Sequence, residues 1–265
     1  MTEEYRAIPG VDSNLTSLDV YAPAATCPGR AWPVIVWVHG GGFQGGDKRD
    51  DISEKARWAT ARGWMLVSVN YRLIKVGRPE SAKFPDYFDD VAASVAWVRD
   101  EGSRFGGDPN RIALFGHSAG ADIVGNVTTN PGYLAAHGLR LADIRCAGPL
   151  ETVGFDKENV HTGAEWGTWK KIFADVPDYL RVTSAMTYVK PGVGIPATIA
   201  VIRGSAERER VQRDYLRALA AAGVPTEMID ARELDHAEVG IRIGDVDDEI
   251  MTPPLTAFLA GCFAH

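Results

Sequence analysis

The sequence predicts a mostly parallel α/β fold, because buried strands and amphipathic helices alternate along its first half. Continuous apolar, β-branched runs at residues 33–38, 64–71 and 111–115 are typical of strands that are covered on both faces. Helical spacing of apolar residues lies between them, at 50–62 and at 85–101. The order strand, helix, strand, helix, strand indicates parallel α/β architecture.

Shorter elements are predicted on either side of this core. Residues up to about Tyr21 have β-type character, which predicts a pair of short edge strands. Beyond a helix that begins near residue 121, apolar patterning predicts strands at 144–148, 195–203 and 226–230, and helices at 212–222 and 247–263. Residues 151–191 are less regular and rich in aromatic side chains.

Composition bounds the class of protein. A chain of 265 residues suits one large α/β domain or two small ones. The net charge of −7 and the scattered Lys and Arg residues argue against a nucleic-acid partner. No apolar run approaches the roughly 18 residues of a membrane span, so no membrane partner is expected. The first six residues are acidic and lack the apolar core of a secretory signal.

The cysteines favour a reducing compartment. Cys27, Cys146 and Cys262 are odd in number, far apart and without metal-ligand spacing. We therefore expect three free thiols in a cytoplasmic protein.

A nucleophile elbow is predicted at residues 116–120, Gly-His-Ser-Ala-Gly, between an apolar strand and a helix. The sharp turn would hold Ser118 in a strained conformation with its hydroxyl above the sheet. Gly116 and Gly120 leave room for the strand and the helix to pass closely. An ordinary Gly-rich turn is the alternative, since five-residue patterns also recur by chance.

Donors for a developing oxyanion are expected in residues 39–42, His-Gly-Gly-Gly, directly after a buried strand. Successive glycines can bring their N–H groups together, because no Cβ blocks the approach. We predict an oxyanion hole made by the N–H groups of Gly41, Gly42 and Ala119. A flexible loop is the alternative; a phosphate cradle would need a Lys-Ser or Lys-Thr that residues 43–45 lack.

The general base is predicted to be His236, because its loop follows the last strand and opens at the edge of the sheet where the elbow lies. Five other histidines are less suited. Two belong to the glycine motifs, two lie in polar loops and one is terminal: His39, His117, His137, His161 and His265.

The orienting carboxylate is expected after the preceding strand. Glu207 follows the glycine that closes that strand by three residues, and it is our choice. Glu209 is the second candidate, and a solvated charge is the alternative for both. Asp235 is adjacent to the histidine, so its side chain is expected to point elsewhere.

At this point the chain resembles the α/β-hydrolase fold, and within it the HGGG-type esterases related to hormone-sensitive lipase and small bacterial carboxylesterases. The likeness covers nearly the whole chain, and the residues that carry it are 18–23, 39–43, 70–73, 108–112, 116–120 and 235–236. The resemblance implies an eight-stranded, mostly parallel sheet flanked by helices, in one domain spanning 1–265. Residues 151–191 would be a small lid.

The resemblance also implies ester hydrolysis through an acyl-serine, with no cofactor and no metal. Ser118, Glu207 and His236 would form the triad, in the family's chain order. The substrate would be a small-molecule ester of a small to medium acyl chain, and a homodimer stays open. Four side chains are expected to contact substrate, although the two tryptophans could equally be core: Phe43, His117, Trp166 and Trp169.

Two other functions remain open. An arylformamidase-type amide hydrolase would use the same triad and differ only in a tighter pocket, which the sequence does not reveal. A non-catalytic binding protein on the same scaffold would be expected to lack Ser118 or His236, and both are present.

Overall fold

The computed structural model describes residues 1–24, 31–75, 77–78, 81–160, 163–173 and 175–264, with the backbone alone for 163–166. These residues form an eight-stranded sheet in the order β1-β2-β4-β3-β5-β6-β7-β8. The strands are β1 Thr2–Glu4, β2 Ser17–Tyr21, β3 Trp32–Val38, β4 Met65–Val69, β5 Gly107–Gly116, β6 Ile144–Pro149, β7 Ala197–Ile202 and β8 Thr226–Asp230. Strands β1 and β2 pair antiparallel at one edge, and the pairs from β4 to β8 are parallel.

Helices cover both faces of the sheet. They are α1 Ile52–Ala61, α2 Asp86–Glu101, α3 Ala119–Thr129, α4 Pro131–Ala135, α5 Gly163–Ile172, α6 Tyr179–Val182, α7 Ala206–Ala221, α8 His236–Ile241 and α9 Thr252–Phe263. Within the described ranges, no helix combines the length and the apolarity needed to cross a bilayer.

Strand β3 shows why its sequence is apolar throughout. Its side chains alternate between two separate cores, because successive residues of a strand point to opposite faces. Val34, Val36 and Val38 pack in the core that contains α2 and α3. Ile35 and Trp37 pack in the core that contains α1 and α9. A strand buried on both faces therefore has no polar side to show in its sequence.

The predicted order of strands and helices is confirmed, and the main differences lie near the C-terminus. Helix α7 begins at Ala206, six residues before the predicted start, because Ser205 caps it with its side-chain oxygen. The short helix α8 was not predicted. Its six residues are too few to show helical periodicity.

The expectation of three free thiols is wrong for two of them. Cys146 on β6 and Cys262 on α9 are joined in a disulfide across 116 residues of sequence. Linear spacing cannot reveal a pair that the fold brings together. The prediction of a cytoplasmic protein rested on free thiols. The disulfide removes that support, since disulfides persist mainly in oxidising compartments. Cys27 lies outside the described residues.

Candidate active site

The predicted elbow is present at the junction of β5 and α3. Ser118 has φ 58° and ψ −120°, a region that non-glycine residues rarely adopt, and α3 begins at the next residue. The strand and the helix pass closely there. A Cβ on Gly120 would overlap the carbonyl oxygen of Val38, and one on Gly116 would lie 2.6 Å from the carbonyl oxygen of Gly120. Both glycines are therefore required by packing.

His236 is brought to the serine by the start of α8. A reciprocal capping box fixes that start. The Asp235 carboxylate accepts from the N–H of Glu238 at 2.8 Å, and Glu238 accepts from the N–H of Asp235 at 2.8 Å. His236 Nε2 then lies 2.9 Å from Ser118 Oγ. The side chain of Asp235 is used in capping, and the imidazole is free to contact the serine.

The carboxylate that contacts His236 is Glu151, and the prediction of Glu207 is wrong on this point. Glu151 Oε2 is hydrogen-bonded to His236 Nδ1, and its side chain is fully buried. Glu207 lies instead in the first turn of α7, where an acidic side chain favours the helix N-terminus. The second candidate, Glu209, forms an ion pair with Arg213 at 3.4 Å.

The position of Glu151 follows from the sheet order. Strand β6 lies directly beside the elbow strand β5, so the chain leaving β6 passes over the elbow. The N–H of Leu150 donates to Gly116 O at 3.0 Å, and the N–H of Ser118 donates to Glu151 O at 3.1 Å. One sequence signal could have found it: a single acidic residue directly after the apolar end of the strand beside the elbow.

Three side chains converge on the other oxygen of Glu151. Arg208 donates to Oε1 through Nη2 and, at 3.2 Å, through Nε. Gln212 Nε2 donates at 3.2 Å, and Arg203 Nη1 lies at 3.5 Å. Burial acts to raise the pKa of Glu151, but the hydrogen bond to His236 and the charge of Arg208 outweigh it and lower the pKa to about 2. Glu151 is thus held ionised in a buried place.

The glycine loop lies beside the serine. A Cβ on Gly40 would come within 3.1 Å of Ser118 Cβ. Gly41 has φ 106°, and a Cβ there would overlap the carbonyl of Gly45, so no other residue fits. Among the described residues, no acceptor is present for the N–H groups of Gly41, Gly42 or Ala119. These three predicted donors remain available to a ligand at Ser118.

Buried aromatic groups hold this loop in place. The Tyr71 hydroxyl donates to the carbonyl oxygens of His39 and Gly40 at 3.0 and 3.2 Å. The rings of Tyr71 and His39 stack with centroids 4.4 Å apart. Burial lowers the pKa of His39, which favours the neutral imidazole inside the fold. His39 therefore has the structural role expected from its motif.

Two cavities meet at Ser118 and His236. The larger has a volume of about 350 Å³ and is also lined by His117, Trp37 and Lys55. The smaller, of about 200 Å³, is also lined by Phe43, Trp169 and Glu151. Three of the predicted substrate contacts, Phe43, His117 and Trp169, thus line the cavities. The side chain of Trp166 lies outside the described residues.

A buried ion pair borders the smaller cavity. Asp122, on the first turn of α3, lines the cavity, and Lys157 Nζ lies 2.8 Å from its carboxylate. Lys157 also donates to the carbonyls of Gly154 and Thr183, and Asn126 donates to Asp122. Nζ lies 5.3 Å from the ring centroid of Trp169. The pair ties Gly154, Lys157 and Thr183 to the helix that follows the serine.

Three side chains here are grouped as the ligands of a metal site would be. The donor atoms of His117, Glu151 and His236 lie within 4.8 Å of one another. Burial, followed by the charge of His236, lowers the pKa of His117 to about 4, so this ring is neutral at pH 7. Since Glu151 and Ser118 already occupy both nitrogens of His236, the hydrogen-bonded arrangement accounts for the grouping.

Relatives by sequence are esterases by name. The BD-FAE family model matches residues 18–132. Para-nitrobenzyl esterase of Bacillus subtilis (strain 168) is 31% identical over 155 residues, which cover 56% of this chain and 31% of that protein. Human carboxylesterase 3 is 35% identical over 149 residues, covering 54% of this chain and 25% of that protein. The chain spans about a third or less of the length of these two relatives.

Solved structures establish the fold. Apo esterase 2 of Thermogutta terrifontis superposes with a TM-score of 0.73 at 20% identity, covering 90% of this chain and 85% of that one. Esterase B of Lactobacillus rhamnosis (HN001) gives a TM-score of 0.76 at 17% identity, covering 100% and 85%. The chain has the α/β-hydrolase fold, as the sequence predicted.

Proposed function

We propose that the protein is a serine carboxylesterase. One observation carries the proposal: Ser118 Oγ lies 2.9 Å from His236 Nε2, while Glu151 is hydrogen-bonded to the other ring nitrogen. A serine hydroxyl is a weak nucleophile until a base removes its proton, and the base must be held in one tautomer. The relatives named esterases support the same reaction class.

The reaction would follow from this geometry. Ser118 Oγ attacks the ester carbonyl, and its proton passes to His236 Nε2. The buried carboxylate of Glu151 stabilises the imidazolium that forms. The carbonyl oxygen becomes negative and accepts from the N–H groups of Gly41, Gly42 and Ala119. His236 then protonates the leaving alcohol, which leaves an acyl-Ser118. In the second half-reaction His236 takes a proton from water, and the hydroxide attacks the acyl-serine and releases the acid.

The cavities support small to medium substrates. At about 200 and 350 Å³ they adjoin at Ser118, so the two sides of an ester would occupy one each. Phe43 and Trp169 give the smaller cavity apolar walls, and His117 contributes to the larger. Neither volume is as tight as a site restricted to a formyl group, which favours the ester over the formamide.

We propose that residues 151–191 cover the smaller cavity within a single domain spanning 1–265. Thr168 and Trp169 on α5 line that cavity. The segment is fixed at its start, because Glu151 contacts His236 and Lys157 contacts Asp122.

Labelling and turnover test the proposal together. Thermogutta terrifontis esterase 2 has been solved as its tabun and sarin adducts, so a fluorophosphonate probe suits this fold. We expect labelling of the wild type, none in Ser118→Ala, and hydrolysis of 4-nitrophenyl acetate and butyrate. Strong preference for N-formylkynurenine would replace the esterase with a formamidase. Absence of any adduct would favour a non-catalytic binding protein.

A further inference from the structure

The larger cavity has a buried amine in its wall. Lys55 belongs to the first turn of α1 and is only 2% exposed, yet it lines the cavity together with Ser118 and His236. Its Nζ lies 5.2 Å from the ring centroid of Trp37, which lines the same cavity. Lysine is rarely buried unless its charge is paired. The position of Lys55 therefore calls for an explanation beyond packing.

Among the described residues, the ammonium of Lys55 has fewer hydrogen-bond acceptors than it has N–H groups. It carries three N–H groups. One donates to the carbonyl oxygen of Asp51 at 2.8 Å, and the described residues supply no acceptor for the other two. Burial lowers the pKa of Lys55 to about 8 against the opposing attraction of Asp51, so the amine is still protonated at pH 7. A protonated amine with two free donors favours an anionic acceptor.

The start of α1 favours an anion at the same wall. Asp51, at the N-cap, adopts a left-handed conformation with φ 49°, and its side chain makes no capping hydrogen bond. The free N–H groups of a helix N-terminus carry a positive partial charge. The lysine of the first turn adds to that charge, whereas Glu54 of the same turn opposes it and is paired with Arg57. Of the residues of α1, Lys55 is the one that lines the cavity, so its ammonium is the group that would meet an anion.

The other charged and titratable groups of the cavity do not cancel this preference. Asp50 and Asp51 line it, but both are exposed to solvent, which screens them, and Asp50 also accepts from the N–H of Asp47 at 2.8 Å. Burial lowers the pKa of His39 and His117, so neither adds charge at pH 7. His236 is occupied by Glu151 and Ser118.

We propose that the larger cavity binds an anionic end of the ester, with Lys55 Nζ donating to a substrate carboxylate. The inference rests on the proposed esterase function and narrows its substrate class. The preferred substrates are esters that carry a free carboxylate on the side of the molecule that enters this cavity.

Matched substrate pairs test the proposal. Mono-4-nitrophenyl succinate and its methyl ester place or remove the charge on the acyl side; 4-acetoxybenzoate and its methyl ester do so on the alcohol side. We expect wild type to prefer the charged member of one pair in kcat/KM. Lys55→Met should lower that charged-over-neutral ratio at least tenfold, mainly through KM. Arg57→Met, which removes an exposed charge from the same helix outside both cavities, should leave the ratio unchanged.

Binding without turnover separates this inference from the proposed function. Succinate and 4-hydroxybenzoate are titrated calorimetrically into Ser118→Ala protein, with and without Lys55→Met. Loss of binding on the lysine change supports the site even if no ester is cleaved. Lys55→Gln serves if Lys55→Met fails to fold. Neutral esters preferred in both pairs, or an unchanged charged-over-neutral ratio in the lysine variant, would overturn the proposal.

Discussion

At the residue scale, the environment of one carboxylate defines the site. Glu151 gives one oxygen to His236 and the other to Arg208, Arg203 and Gln212. These contacts hold Oε1, and Oε2 faces the imidazole. The hydrogen bond to His236 and the charge of Arg208 hold the pKa of this acid low and keep it ionised, which its burial alone would oppose.

Arg208→Gln should impair catalysis more than binding. Removing the guanidinium frees Glu151 to rotate and leaves His236 less well oriented. We expect kcat to fall by about tenfold, with KM for 4-nitrophenyl butyrate changed by less than about twofold. Arg213→Gln, on the same helix but paired with Glu209, is the control and should keep wild-type kcat. A rise in KM with unchanged kcat would show that Arg208 acts on substrate instead.

Acid should weaken the stabilisation that Glu151 provides. Its pKa falls from an ordinary 4.5 to about 2 in the fold, so the contribution is present above pH 4.5 and disappears as pH falls through 2. The shift corresponds to roughly 3 kcal/mol. Urea unfolding of wild type and Glu151→Gln should therefore show a stability difference at pH 7 that shrinks steadily between pH 4.5 and 2. A difference that is independent of pH would contradict this account.

At the element scale, the glycine loop and the elbow, which both lie beside Ser118, have little conformational freedom. The glycine loop is held by Tyr71 and by the close approach of Gly41 to Gly45, and the elbow helix is held by the pair Asp122–Lys157. Each loop follows a strand of the sheet, so the site inherits the rigidity of the sheet.

Gly41→Ala should damage the glycine loop and, with it, the proposed oxyanion hole. The new Cβ would meet the carbonyl of Gly45, and φ 106° is unfavourable for alanine. We expect kcat to fall by about 10²-fold or more, the usual cost of losing one such donor. Gly10→Ala is the control, since it also has positive φ, 79°, but open space and no place in either cavity. Equal kcat for the two variants would remove Gly41 from the site.

Breaking the buried ion pair should be costly, and removing both partners much less so. Lys157→Met leaves Asp122 buried without its cation, which we expect to lower the free energy of unfolding by about 3–5 kcal/mol. Adding Asp122→Leu should restore a large part of that loss, since the double variant buries no charge. Urea denaturation of Lys157→Met, Asp122→Leu and the double variant measures the coupling between the two residues. If the losses of the two single variants simply add in the double variant, the ion pair does not hold Lys157 against α3.

At the scale of the whole molecule, the disulfide joins the strand before Glu151 to the last helix. Cys146 is buried on β6 and Cys262 lies on α9. Such a cross-link reduces the freedom of the unfolded chain, by up to about 4–5 kcal/mol for loops near 100 residues. We expect one titratable thiol per unfolded chain without reductant and three with it, and a lower Tm after reduction. Three thiols without reductant would contradict the disulfide.

Most of the fold was predictable from the sequence, because strands such as β3 are apolar on both faces and alternate with amphipathic helices. Ser118 and the glycine loop were predictable because local patterns mark them, and His236 because its loop follows the last strand at the edge of the sheet where the elbow lies. Glu151 was not predicted, because an acidic residue after the apolar end of a strand indicates a triad acid only once β6 is known to lie beside β5. The disulfide was missed for the same reason. The fold, and not the local sequence, brings Cys146 to Cys262, as it brings Glu151 to His236.

The central claim is that Glu151, and not Glu207, supports His236, and kcat of the two matched variants tests it most directly. We predict that Glu151→Gln lowers kcat for 4-nitrophenyl butyrate about 10³- to 10⁴-fold, as removal of a triad acid does in serine proteases. Glu207→Gln should stay within about twofold of wild type. Near-wild-type activity in Glu151→Gln, with a large loss in Glu207→Gln, would contradict the account.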